Sequence, residues 1–128
     1  MFTLDPFWVT GFIDGEGCFS VSFNKRAQTQ TQAQWIEVRP SFSVSQTGKR
    51  SCIALQKTQQ FFQCGSIRYS AGDQTNKYEV RSLKDLRTII LPHFEKYPLQ
   101  TPKQNDFLQL CQVCDLMALE EHKNEQGA

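Results

Sequence analysis

No run of apolar residues in this 128-residue chain approaches the roughly 20 needed to cross a bilayer, so no membrane partner is expected. Net charge is also close to absent: 14 Lys/Arg against 13 Asp/Glu leave +1, which excludes a polybasic or polyacidic protein. The opening MFTLDPFWV lacks a basic n-region and a small-residue cleavage site, so no signal peptide is expected and the setting is read as intracellular. Histidine is scarce. His93 and His122 both fall on helical patterns, and no Ser-His-Asp or Cys-His arrangement is evident. The five cysteines are an odd number, which fits reduced thiols better than a disulfide framework. Cys111 and Cys114 form a CxxC on a helical pattern, but no second pair supplies the other ligands of a zinc site, so both are expected as core thiols.

What is present is an ordinary globular composition, 39% apolar and 21% charged, with ten phenylalanines. The length suits one domain, and residues 1–128 are read as a single unit with 119–128 as a flexible tail. Charge is unevenly spread. Residues 22–82 hold nine Lys/Arg and three acids, a net of +6, so the remainder carries −5. A basic stretch inside a neutral chain is either a phosphate-binding footprint or a solvated face.

Periodicity gives the order α β β α β β α α, an α+β class with an antiparallel sheet. Asp5-Pro6 opens the first helix, with Asp suited to the N-cap and Pro to the first turn. Residues 18–26 alternate Phe19, Val21 and Phe23 with Ser20, Ser22, Asn24 and Arg26, as a half-buried strand does. The polar parity runs on through Gln28, Gln30, Gln32 and Gln34. A second strand over 35–45 sets Ile36, Val38, Phe42 and Val44 against Glu37, Arg39, Ser41 and Ser43. Residues 49–62 read as a helix with Ile53, Leu55, Phe61 and Phe62 toward the core. A second hairpin follows over 66–71 and 77–81. Ser82 and Asp85 resemble a capping box ahead of Leu86, Ile89, Ile90 and Leu91. Thr101-Pro102 with Gln104 opens the last helix, which carries Phe107, Leu108, Cys111 and Leu116.

One junction stands out. Asp14-Gly15-Glu16-Gly17 puts two acids at the C-terminal, negative end of an apolar helix, where carboxylates are disfavoured. Something should compensate, and a divalent cation with a preference for oxygen ligands would do so. A plain helix exit with solvated acids is the alternative.

The run VTGFIDGEG at 9–17 resembles the nonapeptide that names the LAGLIDADG family, and FWVTGFIDGEGCFSV extends the likeness. RPSFSVSQ at 39–46, the phenylalanine pair and glycine within 61–67, and YPLQTPKQNDF at 97–107 fall where that family has further blocks. The resemblance implies an αββαββα-type fold whose sheet forms a DNA-binding saddle. It implies that Glu16 is a metal ligand, with the Gly15 carbonyl as a backbone ligand, although the family often has Asp at that place. Cys18 stands where Ser is commoner. Gly11 would let two such helices pack closely, with Val9, Phe12 and Asp14 beside it at a dimer interface, and Asp14 given to capping or interface contacts. Gln46 would arrange water or metal, and Lys103 would stabilise phosphate charge or polarise water. Mg²⁺ is the implied cofactor, with Ca²⁺ occupying the site without supporting cleavage.

The expected partner is double-stranded DNA, gripped by a β-ribbon in the major groove. The expected reading face comprises Ser22, Asn24, Arg26, Gln28, Gln30, Gln32, Gln34, Glu37, Arg39, Arg68, Ser70, Lys77, Glu79 and Arg81. Lys49, Arg50 and Lys57 are expected on phosphates, with Arg50 also a weaker candidate for the polar shell of the active site. One nonapeptide means one half-site. The chain is therefore either a homodimer on a pseudo-palindromic site or half of a longer two-motif protein. A catalytically silent binder, such as an intron maturase or regulator, is the competing reading. Retention of Glu16, Gln46 and Lys103 favours the nuclease. The family's habit of intron or intein encoding suggests an organelle.

Overall fold

The computed structural model describes residues 4–27, 34–48, 51–70, 72 and 74–127. Gln28, Gln30, Gln32, Lys49 and Arg50 lie outside the described residues. The elements follow the expected order: α1 (Pro6–Glu16), β1 (Gly17–Ala27), β2 (Gln34–Thr47), α2 (Ser51–Phe62), β3 (Ser66–Tyr69) and β4 (Thr75–Val80) come first. A short α3 (Leu83–Asp85), a π-helical turn (Leu86–Ile90), α4 (Leu91–Lys96) and α5 (Lys103–Gly127) complete the chain. The stretch after Leu119, expected as a tail, continues α5 to Gly127.

Helix α1 begins as its sequence dictates. The Asp5 side chain accepts from the Phe7 amide at 2.8 Å, and Pro6 sits in the first turn where its missing N–H costs nothing. Its exit is less obvious. Gly17 has φ −83° and ψ 172°, an extended conformation open to any residue. Glycine is required there by space, because a Cβ would lie 2.6 Å from Ile13 Cγ2 and 2.9 Å from the Ile13 carbonyl oxygen. The helix thus turns directly into β1.

The sheet is antiparallel throughout, with order β1-β2-β4-β3. All helices with buried residues pack on one face. Phe19, Phe42, Val44, Tyr78 and Val80 from the strands meet Val9, Ile13, Leu55, Phe62, Leu86, Ile90, Phe94, Phe107 and Leu110 from the helices. The phenylalanine richness is explained here. The Phe42 ring lies 5.3–6.2 Å from the rings of Phe19, Phe62, Phe94 and Tyr78, mostly edge-on, as aromatic quadrupoles favour. Each such fully buried side chain contributes about 1.5–3 kcal/mol by leaving water.

Three expectations change in the helices. Ile53 was placed in the core but is 55% exposed, because α2 turns Leu55, Thr58 and Phe62 inward and Ile53 falls off that stripe. On α5 the buried set is Phe107, Leu110 and Cys114, leaving Leu108 and Leu116 exposed. The helix around Leu86–Leu91 runs on to Lys96 despite Pro92. The preceding turn widens, with the Leu91 amide bonding to the Leu86 carbonyl, which makes room for a ring that would otherwise crowd the turn before it. Cys114 is buried and Cys111 half-buried, and burial pushes both thiols up to about 11, so they remain protonated core groups as expected.

Candidate functional site

Glu16 is the last residue of α1, and its carboxylate is exposed. Gln46, near the end of β2, donates from Nε2 to Glu16 Oε2 at 3.1 Å and to the Ser45 carbonyl at 3.0 Å. The amide is thereby fixed and the carboxylate oriented. Lys103, the first residue of α5, donates from Nζ to the carbonyls of Ile13 and Asp14, both at 3.1 Å. Its ammonium sits on the negative end of the α1 dipole. That is a compensation the sequence demanded, supplied here by a lysine 89 residues beyond Asp14.

Asp14 takes the capping role, in a form no local pattern could show. Its carboxylate accepts from the backbone amides of Gln100 at 2.6 Å and Thr101 at 3.2 Å and from the Thr101 hydroxyl. Burial tends to raise its pKa, but the Thr101 and Gln100 hydrogen bonds and the Lys103 charge outweigh it, so the carboxyl titrates below its usual range. Glu16, Gln46 and Lys103 are thus brought together around the last turn of α1, while Asp14 ties that turn to the start of α5.

The interface residues divide. Val9 is fully buried in the chain's own core and cannot belong to an interface, since it shares with Ile13 the stripe that faces the sheet. Gly11 and Gly15 lie on the other side, and a Cβ built on either meets nothing within 4 Å. Phe7 at 70% and Trp8 at 45% exposure flank that strip, with Phe12 half-buried and stacked on Trp8 at 5.4 Å. One side of α1 is therefore small, apolar and uncovered.

Away from the hairpin, the sheet face opposite the helices is built largely of polar side chains. It presents Cys18, Ser20, Ser22 and Asn24 from β1, then Glu37, Arg39, Ser41, Ser43, Ser45 and Thr47 from β2. Thr75, Lys77 and Glu79 from β4 and Ser66 and Arg68 from β3 complete it, with Arg81 and Ser70 just past the strand ends. Arg39 Nε donates to Glu37 at 2.9 Å, and the Ser20 and Ser41 hydroxyls bond across the strands at 2.8 Å. The hydroxyl ladder of Ser20, Ser41, Ser43, Ser45 and Thr47 was not among the expected readers, although strict alternation through β2 would have included it. Toward the hairpin the backbone of Arg26 pairs with that of Trp35, and Ala27 with Gln34. The even-numbered polar parity of β1 becomes odd-numbered in β2, and a one-residue offset moves a side chain to the other face. Lys57 lies on α2, in the helical layer and not on the sheet.

A profile of LAGLIDADG endonucleases matches residues 9–114. The chain belongs to the LAGLIDADG endonuclease family. Among similar proteins, an uncharacterized 50.9 kDa protein in ND4 intron 1 of Podospora anserina is 35% identical over 94% of this chain and 26% of its own length. A protein named probable intron-encoded endonuclease 2 of Neurospora crassa is 32% identical over 97% of this chain and 27% of its own. The chain thus spans about a quarter of the length of these curated relatives. The fold is that of the homing endonuclease I-TnaI, at TM-score 0.80 and 34% identity, covering 94% of this chain and 78% of that one. It equally matches I-SmaMI bound to an uncleaved DNA target in the presence of calcium ions, at TM-score 0.83 and 38% identity, covering 98% of this chain and 41% of that one. Among the described residues no helix is long and apolar enough to cross a membrane.

Proposed function

We propose that this chain is one half of a site-specific double-strand DNA endonuclease that hydrolyses phosphodiesters with a divalent metal. The observation that carries this reading is the position of the Glu16 carboxylate. It stands oriented by Gln46 at the end of a helix whose Gly11–Gly15 side is uncovered. Two such helices packed along their glycines would bring two Glu16 carboxylates side by side. I-SmaMI, whose fold this chain shares, binds an uncleaved DNA target with calcium present.

The residues present suit a hard cation. Glu16 offers carboxylate oxygen, and the Gly15 carbonyl belongs to the same last turn, where helix carbonyls lack intrahelical partners. Asp14 is committed to Thr101 and Gln100, and among the described residues no cluster of three or more His, Cys, Asp or Glu could hold a metal alone. One copy therefore supplies one carboxylate, and a second copy or a second half completes the set. Mg²⁺ held there would supply charge neutralisation on the phosphate and activation of water. The protein's own work is positional. Gln46 fixes the Glu16 oxygen, Asp14 and Lys103 lock the helix end, and Arg39, Arg68, Lys77 and Arg81 grip the duplex. Intron-encoded relatives support an origin in an intron, and we place the protein in an organelle on that basis.

The experiment is selection of cleaved and bound duplexes from a randomised library, with Mg²⁺ and with Ca²⁺, for wild type and Glu16→Gln. Cleavage at a near-palindromic site in Mg²⁺, with binding alone in Ca²⁺ and in Glu16→Gln, is the expected result. Specific binding without cleavage would replace the nuclease with a binding protein. Failure to bind any duplex would overturn the DNA-binding reading for this chain.

A further inference from the structure

The Glu79 carboxylate carries three ion pairs at once. Arg68 Nη2 and Arg81 Nη1 lie 3.1 and 3.9 Å from Oε1, and Lys77 Nζ lies 3.3 Å from Oε2. The strand pattern explains the cluster. Glu79 is on the interior strand β4, between Ser43 on β2 and Ser66 on β3. Both neighbours are short side chains. Lys77 and Arg81 reach it from two residues before and after on the same face, and Arg68 reaches it diagonally, being paired with Lys77. The glutamate side chain is 12% exposed, while Arg68, Lys77 and Arg81 are 68%, 39% and 51% exposed. The cations form the outer layer and the anion lies beneath them.

A carboxylate that reads a cytosine amino group needs an acceptor oxygen facing the groove. Both oxygens of Glu79 are already taken and covered, so the expectation that it reads a base does not fit its surroundings. We propose instead that Glu79 is a positioning residue for DNA recognition, holding Arg68, Lys77 and Arg81 as an ordered cluster so that these three read the duplex. This rests on the DNA-binding reading above. Two consequences follow, and they have opposite signs. Long side chains lose rotamer freedom when they bind, and a shared anchor in the free protein removes part of that loss for the correct contacts. The same carboxylate also reduces the local positive field, which limits indiscriminate attraction to any phosphate backbone. Removing it should therefore tighten non-specific binding while blurring discrimination. A residue needed only for folding would weaken both, and a direct base reader would lose discrimination at one base pair.

The test compares wild type with Glu79→Gln, a near-isosteric change on the solvent side of the sheet. Binding is measured in Ca²⁺ at two salt concentrations. The probes are the duplex that wild type selects from a randomised library, each single-base-pair variant of it, and an unrelated duplex. Guanidinium rotation of Arg68 and Arg81 is followed by nitrogen NMR in the free protein. The expected result is faster guanidinium rotation without DNA, several-fold tighter binding to the unrelated duplex with a steeper salt dependence, and a loss of discrimination of about tenfold over adjacent base pairs. Unchanged rotation, unchanged discrimination, or a loss confined to one base pair would each overturn the proposal. Failure of wild type to select any duplex would overturn the DNA-binding reading and this inference with it, whatever the guanidinium groups do.

Discussion

Alternate residues of the same strands build two unlike surfaces. On β2, Phe42 and Val44 are fully buried among rings, while Ser41, Ser43 and Ser45 beside them carry hydroxyls onto the opposite, polar face; on β4, Tyr78 and Val80 alternate with Lys77 and Glu79 in the same way. One surface has few polar groups to arrange, and truncation there costs packing volume. The other has little volume at stake and holds its side chains by charge. A strand of this kind lets binding chemistry vary without disturbing the fold, because the period of two keeps the two sets of contacts apart. The sharpest way to break that comparison is a matched pair of truncations. Phe42→Ala should cost about 3–5 kcal/mol in a denaturant titration, since four neighbouring rings lose their partner. Arg81→Ala, one residue past β4 and half exposed, should stay within about 0.5 kcal/mol of wild type and still weaken DNA binding. Comparable stability losses in both would mean that the two faces are not energetically separate.

A polar contact inside the helical layer offers a smaller test. Thr10 on α1 donates its hydroxyl to the Tyr97 carbonyl at 2.9 Å, so His93 Nε2, 3.1 Å away, is the donor toward Thr10. Burial pulls the His93 pKa down to about 4, and the ring is neutral at pH 7. In the unfolded chain it would titrate near its ordinary value of 6.5. Between these values the unfolded state binds the proton and the folded state does not, so stability falls as pH drops from about 6.5 toward 4. The loss should reach on the order of 2–3 kcal/mol. Melting temperature against pH, for wild type and His93→Gln, measures it; an equally steep decline in the variant would assign the effect to other groups.

Much of this was legible in the residues because it is local or periodic. Asp5-Pro6 opened α1, the alternation around Phe19 and Phe42 gave two half-buried strands, and the nonapeptide marked Glu16. What was not legible depends on which residues meet across the fold. Asp14 and Lys103 read as a possible cation problem and a possible catalyst. Only packing shows that Lys103 caps the α1 carbonyls and that Asp14 holds the start of α5. Residue type puts Ile53 in the core and the family resemblance puts Val9 at an interface, but the rotation of each helix exposes the first and buries the second.

Glycines at the two ends of one motif sharpen the contrast on the smallest scale. Gly17 and Gly11 belong to the same nonapeptide-like run, yet the chain itself needs only the first. A Cβ at Gly17 would be pressed against Ile13, so Gly17→Ala should destabilise the isolated chain by about 1–3 kcal/mol. Gly11 has open space around it, and a better helix former there should gain roughly 0.5–1 kcal/mol in the isolated chain. If the uncovered strip of α1 is where a second half packs, Gly11→Leu should therefore raise the unfolding midpoint at concentrations where the chain is monomeric. The same change should abolish association measured by sedimentation at higher concentration, because the added side chain keeps the two backbones apart. A Gly11→Leu chain that associates as wild type does would place the contact elsewhere on the surface, and the meeting of two Glu16 carboxylates would then lose its structural basis.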